Sequence, residues 1–216
     1  MVKGREFNRK EIKVLFQSYG LDAQERTIDS VLNTLNLNFF TGLLAETYSG
    51  REIIEAGQNI QLSVGMKKAL LRNSYFKLLL EDLLSASFIK SESYDKSRVF
   101  TLYKKYRRRD VIRLLNWDKQ QIDKNIGGYI RKDDEIAIFI TLEKGAEFSG
   151  AMMAYEDELL SPNLLKWYTK APRTMSSPEV KAILDYYISG LNMHIFVKKS
   201  DDEGTDFYYL GKVEPQ

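Results

Sequence analysis

The chain contains no cysteine, one histidine and only four prolines among its 216 residues. Without cysteine it forms no disulfide, no zinc site with thiolate ligands and no cysteine nucleophile. With 13 glycines and four prolines, its composition is not that of a long disordered chain. No apolar run approaches the ~20 residues that cross a bilayer, and the polar N-terminus shows no signal peptide. We therefore expect a globular, cytoplasmic protein.

Sequence motifs for catalysis are also missing, because the chain has no glycine-rich phosphate loop and no dinucleotide fingerprint. The single histidine, His194, lies beside a predicted strand without a nucleophile-elbow sequence, which favours a structural role over a Ser-His-Asp triad. The acidic residues Glu156, Asp157 and Glu158 leave a small metal-dependent nuclease as a minor alternative. An Asp followed by Glu-x-Lys on adjacent strands does not accompany them. We predict no catalytic residue, no metal and no cofactor.

Positive charge is instead concentrated between Arg98 and Arg131. This stretch has ten basic and three acidic residues, a net charge of +7, whereas the rest of the chain has 22 basic and 27 acidic residues, a net charge of −5. Aromatic residues are interleaved with the cations, namely Tyr103, Tyr106, Trp117 and Tyr129. Cations that neutralise phosphates and aromatic rings that stack on bases are typical of a nucleic-acid-binding face. The alternative is a solvated helix held by salt bridges.

Residues 1–92 show helical periodicity and are predicted to form a small helical domain or a connector. Asn8 is placed to cap a helix that ends at Gly20, and a second apolar stripe runs from Ile28 to Leu35. The clearest predicted helix, Val64–Ser87, has a wide leucine-rich face. We expect this face to be buried, either in a small helical bundle or against a neighbouring domain. If the chain is instead a protein-interaction module, this face docks on a helicase or forms a homodimer.

Residues 93–216 have a different pattern and are predicted to form a separate β-rich domain. A short helix is expected from Arg109 to Trp117, with Val111, Leu114 and Leu115 facing inward and Arg107, Arg108 and Arg113 facing outward. Strands are expected at residues 136–142, 194–198 and 206–213, and an acidic hairpin turn at 201–204. The fold class is therefore α+β, with a small helical bundle followed by a mixed, partly closed β barrel with short helices.

One protein family is similar to this chain in three segments: LYKKYRRRDVIRLLNWDK at 102–119, YEDELLSPNLLKWYTKAPRTMSSPEV at 155–180 and HIFVKKSDDEGTDFYYLGKVEP at 194–215. This is the domain-of-unknown-function family that follows superfamily-two helicase motors in bacteria. In several members a phospholipase-D-like nuclease stands at the N-terminus. The resemblance covers about Val99 to Pro215.

The resemblance implies a role in SauUSI-like, ATP-dependent restriction enzymes that act on DNA with modified cytosine. In these enzymes the C-terminal domain is taken to recognise the target, and it is similar to the SRA/PUA-like pseudo-barrels that accommodate a flipped base. This chain has neither helicase motifs nor the His-x-Lys nuclease motif, so only target recognition is carried over. The expected partners are double-stranded DNA with modified cytosine and helicase and nuclease modules in cis or in trans. The alternative is a protein-interaction module that docks on a helicase.

Phosphate contacts are predicted where basic residues are dense. In the first basic segment they are Lys104, Lys105, Arg107, Arg108, Arg109 and Arg113. The loop at residues 166–174 repeats the basic and aromatic composition and adds Lys170 and Arg173. Arg173 follows Pro172, which stiffens the loop. Alternatively, Arg113 and Arg173 tie their loops to the barrel.

A reader of modified cytosine in a duplex also needs a base pocket with stacking rings, an apolar notch and hydrogen-bonding groups. Most aromatic residues are expected in the core, among them alternate members of the run at 207–209. Aromatic residues with loop-like, polar surroundings are predicted for the pocket, namely Trp117, Tyr129, Trp167 and Tyr168. Asp206 either accepts a hydrogen bond from a cytosine amino group or caps the adjacent turn.

Overall fold

The computed structural model describes residues 5–121, 128–143, 157–170 and 172–216. They form the predicted α+β fold, with helices first and then a curled, mixed sheet of five strands that makes a half-barrel. The chain divides into two compact units, the first comprising Met1–Val99 and Ile112–Gln120, the second Phe100–Val111 and Gln121–Gln216. In the part of the chain that is described, no helix has the length and apolar character needed to span a membrane.

The first unit contains five helices and two short strands among its described residues. They are α1 (Arg9–Ser18), α2 (Glu25–Leu35), α3 (Gly42–Tyr48), β1 (Ile54–Ala56), β2 (Ile60–Leu62), α4 (Val64–Arg72) and α5 (Ser74–Ser91). The predicted cap of α1 is confirmed, because Asn8 and Glu11 form a reciprocal capping box. The core of this unit consists of Ile12, Ile28, Leu32, Ile54 and Ile60.

Two expectations for the first unit are wrong. The segment predicted to be helical throughout contains the antiparallel hairpin β1–β2, and Phe7 forms a further bridge to Ile60. The predicted helix Val64–Ser87 is two helices, because Asn73 adopts an extended conformation and its side chain caps α5 by accepting a hydrogen bond from the Phe76 amide at 2.9 Å. Asparagine favours such local hydrogen bonds over a continuous helix. The leucine-rich face is not buried among the described residues, since Leu71 is 87% exposed and Leu83 is 61% exposed, and its burial against a partner stays a prediction.

The second unit is built around the sheet β3-β9-β8-β5-β4, in which only β5 and β8 are parallel. Its described strands are β3 (Lys105–Arg107), β4 (Tyr129–Lys132), β5 (Glu135–Glu143), β6 (Glu158–Ser161), β7 (Leu164–Lys166), β8 (Asn192–Ser200) and β9 (Asp206–Val213). Among its described residues the α-helices are α7 (Pro178–Leu184) and α8 (Tyr186–Ser189), and helix α6 (Arg108–Leu114) carries the chain from the second unit into the first. The predicted strands β5, β8 and β9 are confirmed, and so is the turn, where Gly204 has a φ of +86°.

The register of the sheet assigns its side chains to two faces. Residues paired across neighbouring strands project to the same side, and alternate residues along a strand project to opposite sides. One face, which we call the aliphatic face, carries Tyr129, Ile138, Ile195 and Val197, and Ile183 of α7 packs on it. The other, which we call the aromatic face, carries a stacked and edge-on group of rings: Phe100, Tyr106, Phe139, Phe196, Phe207 and Tyr209.

Candidate nucleic-acid interface

The first group of predicted contacts lies on β3 at one edge of the sheet. Lys105 pairs in register with Tyr208 of β9, and Arg107 pairs with Asp206. The Lys105 Nζ lies 4.6 Å from the centre of the Tyr208 ring, and Arg107 Nε lies 3.1 Å from Asp206 Oδ1. Because Tyr208 pairs with Val197 in turn, both cations lie on the side of the aliphatic face. The Arg107 side chain is 67% exposed, so this edge presents positive charge to solvent.

Arg108 does not face outward as the sequence predicts. Its guanidinium carbon lies 5.3 Å from the centre of the Phe139 ring and 4.7 Å from that of Phe207. The reason is helical geometry, because Arg108 lies three residues before the buried Val111 and seven before the buried Leu115, and therefore shares their side of α6. A cation above two aromatic rings contributes to packing, in addition to any role in binding.

The remaining cations of this segment are partly covered. Arg109 is half-buried, and its Nε atom has no hydrogen-bond partner among the described residues. Lys104 is also half-buried, and its carbonyl oxygen accepts a hydrogen bond from the Tyr209 amide at 3.0 Å. Lys105 and Arg107 are therefore the most exposed cations of the segment from 104 to 109.

Arg113 and Trp117 belong to the first unit. The expected outward position of Arg113 is wrong, because its guanidinium carbon lies 5.1 Å from the ring centre of Phe39 and 5.4 Å from that of Phe40. Trp117 is 2% exposed and lies in the core rather than in the polar, loop-like surroundings that the sequence indicates. The inward position of Leu114 is also wrong, since this side chain is 42% exposed while Ile112 takes the buried position.

The second group of predicted residues gathers around Glu179, a carboxylate at the start of α7. The Tyr129 hydroxyl donates a hydrogen bond to Glu179 Oε2 at 3.0 Å, and Arg173 Nε donates to the same oxygen at 2.7 Å. The Trp167 ring meets the Tyr129 ring edge-on at 5.1 Å, and Lys170 Nζ lies 4.7 Å from the centre of that ring. We call these five residues the Glu179 cluster. The structure thus brings together four predicted residues, three from the loop at 166–174 and Tyr129 from β4.

Tyr129 is the most buried member of the Glu179 cluster. It lies on β4 at 1% exposure, which corrects the expectation of a polar loop. Sequence reasoning missed Glu179, although a basic residue six positions before an acidic residue in the first turn of a helix is a usable signal for such a pair. Of the aromatic residues predicted for a base pocket, Tyr168 is the most exposed, at 40%, with Lys166 Nζ 5.3 Å from its ring centre.

Burial and charge shift three pKa values in the Glu179 cluster. Burial raises the pKa of Tyr129, and its hydrogen bond to Glu179 raises it further. Burial lowers the pKa of Lys170, although the charge of Glu179 acts in the opposite direction. The hydrogen bond to Glu179 raises the pKa of Arg173. The cluster therefore holds Arg173 in one orientation and keeps a lysine where burial disfavours its charge.

Replacing Lys170 with methionine is expected to raise the melting temperature at pH 7 by about 1–3 °C, because it removes a cation that burial disfavours. A cation with a lowered pKa destabilises the fold below that pKa, and the cost disappears as the pH rises past its ordinary value of 10.5. Thermal unfolding of the variant and the unmodified chain, at pH 7 and above pH 10.5, measures the change in melting temperature with and without the lysine charge. A gain of equal size at both pH values would contradict the electrostatic cause, and Lys181→Met, at an exposed position on α7, is the control.

The two groups lie on the same face of the sheet but at its opposite edges. Strands β3 and β4 are the outer strands of the order β3-β9-β8-β5-β4, so four interstrand steps of ~4.8 Å separate them, or about 19 Å along the sheet. Asp206 belongs to the β3 edge, where it accepts from Arg107 and from the Thr205 hydroxyl at 3.1 Å. The structure therefore places Asp206 apart from the aromatic residues that the sequence assigned to the same pocket.

The single histidine and the acidic run at 156–158 have ordinary surroundings where they are described. His194 is buried, and its two ring nitrogens lie 3.0 Å from the Tyr209 hydroxyl and 3.0 Å from a Glu135 oxygen. Of the acidic run, Glu156 is outside the described residues, Asp157 accepts a hydrogen bond from the Tyr168 amide at 3.3 Å, and Glu158 is exposed on β6. Among the described residues, no group of three or more carboxylate or histidine side chains is placed to hold a metal ion.

The chain has an α+β fold, and the aliphatic face of its five-stranded sheet carries exposed cations beside Tyr208. The chain belongs to the family described as "Domain of unknown function (DUF3427)", whose model matches residues 100–216. Residues 1–96 match a second family, described as "Domain of unknown function (DUF8090)". No curated protein matches the chain. The sequence-based assignment to a domain-of-unknown-function family is confirmed at this level.

Proposed function

We propose that this chain is a non-catalytic DNA-binding domain. Its second unit contacts phosphates through the aliphatic face of its sheet. The observation that carries the proposal is the pair of exposed cations on β3. Lys105 and Arg107 are two residues apart, so they project to the same side, and cross-strand contacts with Tyr208 and Asp206 hold them there. Cations held on a rigid strand beside an aromatic ring suit a phosphate backbone with its bases.

The charge distribution supports a polyanion as the ligand. The stretch from Arg98 to Arg131 has a net charge of +7 in a chain whose total is +2. The electrostatic potential around this stretch is therefore positive although the whole protein is nearly neutral. Arg173, which Glu179 orients, and Lys170 add two cations at the other edge of the same face. An arginine with a fixed guanidinium binds a phosphate with two parallel hydrogen bonds, whereas a mobile one loses more conformational entropy.

The finer proposal is that the bound DNA contains 5-methyl- or 5-hydroxymethylcytosine and that the chain serves an ATP-dependent, type IV-like restriction system. Its support is the resemblance of residues 99–215 to the C-terminal domains of SauUSI-like enzymes. In that role the chain works with helicase and nuclease modules, in cis or in trans, and performs no chemistry itself. It recognises a target that a motor and a nuclease then process.

A binding titration tests both levels of the proposal. The ligands are short DNA duplexes identical except for plain, 5-methyl- or 5-hydroxymethylcytosine, measured at two salt concentrations. Salt-sensitive binding with a preference for one modified duplex supports the target-recognition proposal. Salt-sensitive binding without a preference leaves a DNA-binding domain that assists a motor. Absence of binding at both salt concentrations rejects DNA as the ligand.

Replacing both Lys105 and Arg107 with glutamine is expected to weaken binding to every duplex about tenfold and to reduce the slope of log K against log salt by about 2. The physical reason is that fewer counterions are released when two phosphate contacts are lost. Fluorescence anisotropy at several salt concentrations measures both quantities. The control is the double variant Lys10→Gln and Lys13→Gln, which removes the same charge from exposed positions on α1. Equal losses in the two double variants would mean that only net charge matters.

A second candidate function is a protein-interaction module. The observation that favours it is the exposure of large apolar side chains along α5, among them Leu78 at 61%, Leu83 at 61% and Ile89 at 68%. Helices that are apolar around most of their circumference are normally covered by another element. In this second function α5 docks on a helicase or on a second copy of the chain. The titration separates the two functions, because a protein-docking module binds no duplex at either salt concentration.

A further inference from the structure

The aliphatic face of the sheet contains a hollow that the sequence did not indicate. Its volume is about 330 Å³, and the side chains of Leu142, Val197 and Leu210 form its apolar part, with Tyr103 and Tyr208 as its aromatic walls. This volume lies at the lower end of the range of about 300–1,000 Å³ that is usual for small-molecule sites. The hollow has room for a single planar ring system with its sugar.

The hollow exists because the core covers this face unevenly. Near β4 the face is packed under α7 and the segment around Trp167, where Tyr129, Ile138 and Ile183 are buried. Near the C-terminal end of β5 and on β9 the same face is less covered by described residues, and Leu142 is 37% exposed while Leu210 is 43% exposed. The apolar surface therefore continues from the hydrophobic core into a water-accessible depression. Exposed apolar side chains grouped on one face of a sheet in this way are typical of a binding surface.

Two tyrosines border this depression in an unusual arrangement. Tyr208 is 39% exposed, and Tyr103 is 71% exposed. Tyr103 has a φ of +62°, which is uncommon for a bulky residue and is usually retained only where the surrounding structure holds it. Here the Tyr103 amide donates to the Tyr209 carbonyl at 2.8 Å, and the Tyr209 amide donates to the Lys104 carbonyl at 3.0 Å. These two backbone hydrogen bonds hold the main chain at Tyr103 beside the hollow, and Tyr103 is one of the residues that line it.

Polar groups surround the apolar part of the hollow. Lys105 lies above the Tyr208 ring, and Arg107 is two residues further along the same side of β3. Lys199 and Glu203 also border the hollow, whose own surface is almost entirely apolar, and Glu203 Oε2 accepts a hydrogen bond from the Lys199 amide at 3.2 Å. An aromatic and apolar depression with neighbouring cations matches a ligand that combines a flat ring with a phosphate. A nucleotide within a DNA strand has this combination.

We propose that this hollow binds one unstacked nucleobase of DNA, with Tyr103 and Tyr208 as the stacking residues and Lys105 and Arg107 on the adjacent phosphates. The proposal rests on the proposed DNA-binding function and deepens it, because it names the position of the base. It assigns the base to the hollow rather than to Tyr129, which is buried in the core, and Trp167, which is partly buried against it. The base comes either from single-stranded DNA or from a duplex out of which it is flipped, and its chemistry is the same in both cases.

The experiment measures binding of a fluorescein-labelled single-stranded oligonucleotide and of the matching duplex by anisotropy. Tyr103→Ala and Tyr208→Ala are each expected to weaken single-strand binding about tenfold, the loss typical of one base–aromatic stack, without changing its salt dependence. Tyr208→Phe retains the ring and is expected to bind like the unmodified chain. Tyr187→Ala, which removes an 81% exposed tyrosine from α8, is the matched control. Leu142→Trp fills the hollow from its edge and is expected to weaken binding as the tyrosine variants do.

A duplex that carries 2-aminopurine distinguishes the two sources of the base. A rise in 2-aminopurine fluorescence on binding, absent in Tyr208→Ala, means that the base leaves the duplex to enter the hollow. Single-strand binding that depends on both tyrosines, without this rise, means that the base comes from unpaired DNA. Salt-sensitive DNA binding that all three hollow variants leave unchanged overturns the hollow as the base site and leaves the DNA-binding function intact. If the unmodified chain binds no DNA, the DNA-binding function itself fails.

Discussion

Replacing Arg108 with alanine is expected to lower the free energy of unfolding by about 2–4 kcal/mol, a large change for one residue of a basic segment. The guanidinium lies above the rings of Phe139 and Phe207, which belong to the aromatic face of the sheet. Alanine removes this cation–ring contact and the aliphatic part of the side chain that packs with it. Because the surrounding rings are held by their own strands, they do not close the resulting gap.

The neighbouring residue provides a matched control for Arg108. Arg107 is one position earlier, its side chain is 67% exposed, and its ion pair with Asp206 is at the surface. Arg107→Ala is therefore expected to change the free energy of unfolding by less than about 0.5 kcal/mol, as is usual for exposed ion pairs. Chemical denaturation of both variants measures the difference. Arg108→Met, which keeps much of the aliphatic packing, is expected to lie between them. Equal stability of the two alanine variants would mean that Arg108 does not support the aromatic face.

Replacing Glu179 with alanine is expected to lower the free energy of unfolding by about 1–3 kcal/mol. The main reason is Tyr129, whose hydroxyl is buried on β4 and donates to Glu179. Without the carboxylate this hydroxyl loses its acceptor, and a buried donor without a partner costs much of its desolvation free energy. Arg173 loses the same acceptor, and because its orientation is then not held, DNA affinity is expected to fall as well.

Two further variants separate the contributions to the Glu179 result. Glu179→Gln retains an oxygen that accepts from the Tyr129 hydroxyl, so most of the stability is expected to remain while the charge next to Arg173 is lost. Tyr129→Phe removes the donor, so Glu179→Ala in that background is expected to cost less than in the unmodified chain. Thermal and chemical denaturation measure the stabilities, and the duplex titration measures the affinities. An identical loss in both backgrounds would show that the Tyr129 hydroxyl is not the reason.

The residues predicted for one DNA site occupy three different environments. Arg113 and Trp117 are packed in the first unit, Arg108 packs on the aromatic face of the second, and Lys105, Arg107 and Arg173 are exposed. Charge density along the sequence predicts how many cations a segment has. It does not predict which of them pack on rings, since the rings come from residues far away in the chain: Phe39 for Arg113, and Phe139 with Phe207 for Arg108.

The errors in the first unit have a similar physical origin. The hairpin β1–β2 is short, with three residues in each strand, and its pairing with Phe7 depends on a contact across more than 50 residues. Local periodicity carries no information on such pairing. The break at Asn73 is different, because the asparagine side chain caps α5 locally and is visible in the sequence as a cap residue.

Local patterning in the sequence was enough to predict the α+β class, the capped helix α1, the strands β5, β8 and β9 and the glycine turn before β9. It also showed that positive charge gathers in one segment. The folded arrangement was needed to establish which cations are exposed, that Glu179 joins Tyr129 to Arg173, and that Tyr103 and Tyr208 border a hollow. These features depend on strand register and on contacts between distant residues, which a pattern of neighbouring residues does not specify.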